Sequence, residues 1–318
     1  MPAAASALYS RWWQLETWLR SLVYLELRSS KGSAWAEVLP ENSANRQQKD
    51  EEYRHMRTPD AQDQLAYLDA GPLLQLTLDQ WQLFRLYLPN QKIWAGRIEE
   101  LKAIRNRIGH CRRPHGDDLD RLEQTLRDLD GGAFLASSSL NDEKLPNQNW
   151  SDVLVRDWVH KQHSQASLID HASRQYDTSF RLSISHRPWA VPLASNEEQL
   201  GGRPGYVWHA CWYFRGGRAF NLSKFWQDLE SKNLVMLVCA DTPSTLRVSF
   251  SAVEDQRVLS DAIGRSFDAA LTNLGRHYCE DDFTAWARRY SNVDPRVHAG
   301  TPWASIVPAM DGVSVFAA

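Results

Sequence analysis

The stretch that decides how this chain is read is "ELKAIRNRIGHCRRPHGDD", residues 100–118. Arg105, Arg107, His110, Arg112, Arg113 and His115 crowd together here in a chain whose net charge is −3. Acidic residues bracket the group, Glu99 and Glu100 before it and Asp117 and Asp118 after it, so it is not part of a general basic surface. The preceding segment "KIWAGRIEELKAIRNRIGH" has helical spacing, placing Ile93, Ile98, Leu101, Ile104 and Ile108 toward a core, and Pro114 is expected to stop that helix. Two readings stand side by side: a compact site for a phosphate, or basic side chains at a solvated helix end, where the macrodipole favours them.

Outward from this stretch, the region from residue 6 to about 130 reads as helices. Leu8, Trp12, Leu15, Leu19 and Leu22 recur at spacings of four and three in "ALYSRWWQLETWLRSLVYLEL", one helical stripe. Trp13, Trp18, Val23, Tyr24 and Leu25 add apolar surface outside it, so this first helix should be covered on more than one side. "ENSANRQQKDEEYRHMR" is strongly polar, a peripheral helix or a partly irregular segment. "PDAQDQLAYLDAG" is a short one ended by glycine, and "TLDQWQLFRLYL" is another, ended by Pro89. "DLDRLEQTLRDLD" follows, with Asp117 or Asp118 as its cap. The outline is that of a helical bundle.

The composition changes at "GGAFLASSSLNDEKLPNQNW", where Gly, Ser and Pro mark a linker. We place an N-terminal all-α bundle at residues 1–135, a linker at 136–150 and a C-terminal domain at 151–318. Strand patterns in "SFRLSIS", "GYVWHACWYF", "LVMLVCA" and "STLRVSFSAV" alternate with helical runs, which predicts an α+β domain built on a mostly antiparallel sheet.

"RNRIGH" fits the Arg-x(4–6)-His signature of the HEPN superfamily, in its form of Arg-Asn, three residues and His. It lies at the end of a late helix in an all-helical region. The first helix, "RWWQLETWLRSLV", also resembles the opening helix of HEPN domains in bacterial toxin and antiviral-defence proteins. The resemblance covers roughly residues 8–130. It implies a metal-independent endoribonuclease acting as a homodimer, with the motifs of both protomers facing one cleft. Carried over by position, the catalytic residues are Arg105 and His110, supported by Asn106 and by Glu16 of the first helix. Arg107, Arg112 and Arg113 are the candidate RNA-binding residues. No cofactor and no metal are implied, and an antitoxin or regulatory protein joins RNA as an expected partner. Some HEPN domains only bind nucleotides or RNA, and that remains the alternative, together with a protein-interaction module using the chain's 14 Trp residues.

The residue chemistry suits RNA cleavage independently of the resemblance. Imidazole titrates near neutral pH and can give or take a proton. A guanidinium offers a fixed fork to two phosphate oxygens. Arg105 and His110 stand ~140° apart on a regular helix, so they share a side only if Arg105 reaches across or the helix loosens at Gly109. Asn106 and His110 share a face. Glu16 reads either as a surface residue pairing with Arg20 four positions on or, if half-buried among Trp12, Trp13 and Leu19, as a carboxylate that needs a cation such as Arg105.

Other features point less far. Cys111, Cys211, Cys239 and Cys279 form no C-x-x-C pair, which suggests neither a disulfide framework nor a zinc ribbon. His160, His163 and His171 read as solvated, and His209–Cys211 and His277–Cys279 as packing rather than metal ligands. The chain's start lacks a signal-peptide pattern and no run reaches ~18 apolar residues, so a reducing cytoplasm and no membrane are expected. A pI near 6.4 argues against a nucleic-acid coat but not against a local phosphate site.

Overall fold

The computed structural model describes residues 3–52, 64–194, 196–214, 217–275, 283–291, 293–300 and 305–316. Two compact units divide the chain. The first comprises Met1–Leu27, Trp35–Ala136 and Met310–Ala318; the second comprises Arg28–Ala34 and Ser137–Ala309. The second unit thus takes a short piece of the N-terminal region, and the first takes the C-terminal tail.

The first unit is helical. Helix α1 spans Ala3–Lys31, α2 Glu41–Glu51, α3 Ala70–Asp79, the single turn α4 Trp81–Phe84, α5 Gln91–Gly109 and α6 Asp118–Asn141. Leu8, Trp12, Leu15, Leu19 and Leu22 are all buried on α1, and Trp18, Val23 and Leu25 are buried beside them. Trp13 is not: it is 63% exposed, one turn beyond Tyr9 at 49%. On α5 the buried residues are Trp94, Ile98, Leu101 and Ile104. Ile93, expected inside, is 59% exposed. It lies five positions before Ile98, whereas Trp94 completes the stripe at four and donates its indole N–H to the Thr77 hydroxyl at 2.8 Å.

Three boundaries differ from the sequence reading. Gly71 and Pro72 open α3 rather than closing an earlier helix; proline is tolerated in a first turn, where its missing N–H has no helical partner to lose. The predicted helix at "PDAQDQLAYLDAG" falls partly outside the described residues, and Gln64–Tyr67 form a 3₁₀ turn. Finally, α6 runs through the Gly pair and the Ser run to Asn141. Gly132 there lies so close to the Tyr87 carbonyl that a Cβ would fall 1.9 Å from its oxygen, while Ala133, Ala136 and Leu140 are buried. Glycine serves close packing here, not chain flexibility. The tail docks on this unit: Asp130 Oδ1 accepts from Val315 N at 2.7 Å, and Phe316 meets Trp18 edge-on with ring centroids 5.3 Å apart.

The second unit is α+β. After a π-helical turn, Val155–Val159, come α7 Ala166–Tyr176, β1 Thr178–His186, β2 Tyr206–Phe214, β3 Ala219–Phe220, α8 Leu222–Asp228, β4 Val235–Ala240, β5 Thr245–Ser251, α9 Gln256–Thr272, β6 Leu274–Gly275, α10 Phe283–Arg289 and β7 Val297–Ala299. The main sheet has the order β1-β2-β5-β4-β7, antiparallel except for β4 with β7. One face carries Leu182, Ile184, Trp208, Ala210, Trp212, Val248 and Phe250 in an apolar core shared with Ile263 and Phe267 of α9. The opposite face is polar: Ser183, Ser185, His209, Arg247 and Ser249 are all buried there.

Candidate active site at the end of α5

The end of α5 is built by backbone hydrogen bonds. Arg112 N–H reaches Arg107 O at 2.9 Å and Cys111 N–H reaches Ile108 O at 3.1 Å. Cys111 adopts φ +52°. These are the two bonds and the left-handed residue of a Schellman stop. The helix therefore ends at Gly109, and the terminator is Cys111 rather than the later Pro114. His110 is the cap residue, with φ −101° and an exposed side chain.

Arg105 resolves the ~140° problem by reaching across. Its Nη1 lies 3.1 Å from where a Cβ would stand at Gly109. The guanidinium thus folds over the one residue of the last turn that has no side chain, immediately before His110. Asn106 is tied to His110 through the backbone, its carbonyl accepting His110 N–H at 3.3 Å.

Beside Arg105 opens a cleft of about 270 Å³, lined by Lys102, Arg105 and Asn106 of α5 and by Asp69, Gly71 and Pro72 at the start of α3. Asp69 precedes α3 but does not cap it. Its carboxylate turns to Arg46 at 2.7 Å, and that hydrogen bond, aided by the fields of Arg46, Arg105 and Arg20, holds it below the usual carboxylate range.

Glu16 faces Trp12 and Arg20. Trp12 Nε1 donates to Glu16 Oε2 at 2.6 Å, and Arg20 Nη2 donates to Glu16 Oε1 and, at 2.9 Å, to Leu68 O. The cation that satisfies Glu16 is thus Arg20, not Arg105. Through it Glu16 braces the turn leading into α3, one wall of the cleft.

The basic residues divide into paired and unpaired. Arg107 makes a two-pronged contact with the buried Asp118, which also accepts His115 N–H at 2.9 Å. Burial pushes the Asp118 carboxyl up, but these hydrogen bonds outweigh it and hold it below its ordinary range. Arg97 pairs with Glu100 and Asp128, Lys102 with Glu99, and Arg121 with Asp117 and Glu100. Among the described residues, Arg105, His110, Arg112 and Arg113 have no hydrogen-bonded or ionic side-chain partner. His115, Asp117 and Asp118 bring possible metal-ligand atoms within 4.8 Å, but Arg107 and Arg121 already occupy these carboxylates.

The model of the Swt1-like HEPN family matches residues 13–130. The N-terminal domain is a HEPN domain. That match covers most of the helical unit and contains the whole Arg105–His110 motif. No curated protein and no solved structure matches the chain. HEPN domains are often ribonucleases, bind RNA and often dimerise.

Among the described residues, the second unit offers no comparable reactive group. His209 is held between Ser185 Oγ at 2.7 Å and Ser249 Oγ at 2.8 Å, so both ring nitrogens are used. Burial pushes its pKa down to about 3. Burial, reinforced by the charge of Glu143, pushes the Cys211 thiol up to about 12, which removes it as a nucleophile near neutral pH. His163 stacks on Trp158 with centroids 4.5 Å apart, and His160 Nε2 meets Gln148 O at 2.9 Å. His277 and Cys279 lie outside the described residues. Among the described residues no helix is long and apolar enough to cross a membrane.

Proposed function

We propose that the HEPN domain is a metal-independent endoribonuclease whose catalytic residues are Arg105 and His110. The observation that carries this reading is the division of the cations: among the described residues, Arg105 and His110 of the motif and Arg112 and Arg113 beyond it have no side-chain partner, whereas Arg107 is held by Asp118. In the reaction the 2′-oxygen attacks the adjacent phosphorus and the bond to the 5′-oxygen breaks. One group takes the 2′-OH proton and another protonates the departing 5′-oxygen, leaving a 2′,3′-cyclic phosphate and a 5′-OH. His110 is the group able to move protons. Arg105 faces the charge that builds on the phosphorane oxygens.

The other residues follow from their contacts. Arg112 and Arg113 hold flanking phosphates of the RNA. Arg107, held by Asp118, acts by fixing the loop that carries them. Asn106 supports His110 through its carbonyl, and Glu16 supports the cleft through Arg20. A homodimer would place two copies of His110 at one cleft, and the exposed Tyr9–Trp13 stripe on α1 supplies an apolar contact for it. The likeness of the first helix to those of toxin and antiphage-defence proteins supports that role, in the cytoplasm, with an antitoxin or regulatory protein as partner.

Incubation of the pure protein with total RNA in EDTA tests the reading. Cleavage is expected to persist, and His110→Ala to lower its rate by at least ~10²-fold. RNA that is bound but never cut would establish the alternative, a HEPN domain that only binds RNA or nucleotides.

A further inference from the structure

Strand β1 is an edge of the five-stranded sheet, and one residue of the chain already pairs with that edge outside the sheet. Lys144 pairs with Ile184 in antiparallel register, N–H to O at 2.8 Å in both directions. The pairing stops at once. Continuing that register sets Pro146 opposite Leu182, and proline has no N–H to give. The chain then turns away, with Trp150 N–H bonded to Asn147 O. Phe180 and Leu182 share the phase of Ile184, so their N–H and C=O groups point out of the sheet. Among the described residues nothing bonds to them.

Alongside this bare edge runs a groove of about 400 Å³. Phe180, Leu182 and Trp158 form its floor, Ile169 of α7 one flank and Pro146 the other. The rings of Trp158 and Phe180 lie 5.7 Å apart. Thr178, also lining the groove, is almost fully buried, yet among the described residues its hydroxyl has no hydrogen-bond partner. Such a group is costly unless something completes it. The charges at the rim cancel: Lys161 is paired with Asp170 at 2.7 Å, and Arg181 with Glu143 at 2.8 Å.

We propose that this groove binds an extended polypeptide segment of another protein, which adds to the sheet as a strand antiparallel to β1. Two outward-facing residues in a row specify a partner with backbone donors and acceptors at strand spacing. The aromatic floor specifies apolar side chains at alternate positions, and the missing ladder positions exclude proline in the middle of the segment. Balanced rim charges exclude a phosphate backbone, which would need unpaired cations. The Thr178 hydroxyl gives the added strand one further hydrogen bond at the end of the groove. This second unit would then recruit a protein partner, separately from the chemistry at Arg105 and His110.

Selection of random nine-residue peptides displayed on phage, against the full chain, tests this directly. The enriched peptides are expected to alternate apolar and polar residues without central proline. Methylating either of the two peptide amides that face Phe180 and Leu182 should weaken binding about ten-fold, while methylating the amide between them should change little. Ser173→Trp, at an exposed position on the groove wall, should abolish binding, and Thr178→Val should weaken it with the fold intact. Slowed amide exchange at Phe180 and Leu182 on adding the peptide would locate the strand. Three results would each overturn the proposal: no enriched peptide, enriched peptides indifferent to both methylation and Ser173→Trp, or oligouridylate RNA bound in the groove and displaced by Ser173→Trp. Protection of Phe180 and Leu182 that grows with protein concentration alone would also overturn it, by assigning the edge to a second copy of this chain.

Discussion

Arg107, in the last turn of α5, and Asp118, the first residue of α6, are joined by two hydrogen bonds, Nε to Oδ2 at 2.8 Å and Nη2 to Oδ1. The residues between them form a closed loop that carries His110, Arg112, Arg113 and His115. One ion pair therefore decides where four titratable or cationic side chains stand. Asp118 is almost fully buried and Arg107 mostly so, which makes the contact worth more than a surface pair.

Asp118→Asn keeps the shape and the acceptor for His115 N–H but removes the charge. It should cost about 1.5–3 kcal/mol at neutral pH, read as a shift in the urea midpoint. The sign with pH follows from the carboxyl being held below its ordinary range. The folded form then binds its proton less readily than the unfolded chain, so the stabilisation is present above about pH 4 and fades as pH falls below it. The stability curves of the wild type and of Asp118→Asn should converge in acid. A cost that stays constant down to about pH 3 would mean the charge plays no part.

Gly109→Ala separates stability from cleavage. Alanine in the last helical turn should leave the fold as stable or stabilise it by up to ~1 kcal/mol. The same methyl group would meet Arg105 Nη1 at 3.1 Å and push the guanidinium slightly out of its place over the helix end. Cleavage should fall by up to ~10-fold, well short of the loss expected of Arg105→Ala. A stable, fully active variant would show that Arg105 does not need that path.

Cys111 tests the helix stop. A non-glycine residue at φ +52° carries a steric cost of about 1–2 kcal/mol. Cys111→Gly should therefore stabilise the domain by ~1 kcal/mol in chemical denaturation, and Cys111→Ala should not. Cleavage should be unchanged in both, because the thiol has no part in the chemistry. Loss of activity in the alanine variant alone would bring the thiol into the site.

Much of this architecture is legible along the chain, because it rests on periodicity. The Leu8–Leu22 stripe and the alternation in β1 and β5 are local patterns. What escapes is set by contacts distant in sequence. Gly131 and Gly132 read as a linker because composition does not reveal the Tyr87 backbone packed against Gly132. The Glu16–Arg20 pair is legible as an i,i+4 spacing, but only the fold shows Arg20 also holding the Leu68 carbonyl. Arg107 resembles its neighbours in charge, and its commitment to Asp118 depends on how α6 returns beside α5. The bare edge of β1 is invisible in "SFRLSIS", since nothing in a strand's own residues records which side goes unpaired.

The composite site gives the last prediction. A phosphodiester cleavage needs one group to take a proton and another to give one, and each protomer carries a single exposed imidazole in its motif, His110. Two copies across a two-fold axis would supply both, and a C₂ dimer brings the same patch of each copy together by construction. The Tyr9–Trp13 face of α1, large and apolar yet exposed, is the contact we expect to be covered. Arg105→Ala and His110→Ala homodimers should both be nearly inactive. When wild type is unfolded together with an equal amount of His110→Ala and refolded, mixed dimers carry one imidazole in the shared cleft and should be nearly inactive. Activity should fall to about a quarter of that of the same total amount of wild type, against about half for two independent sites. Trp13→Glu should weaken the dimer and lower cleavage in parallel, with activity returning as protein concentration rises. A Trp13→Glu protein that is monomeric by sedimentation and cleaves RNA at the wild-type rate would place the whole site within one protomer.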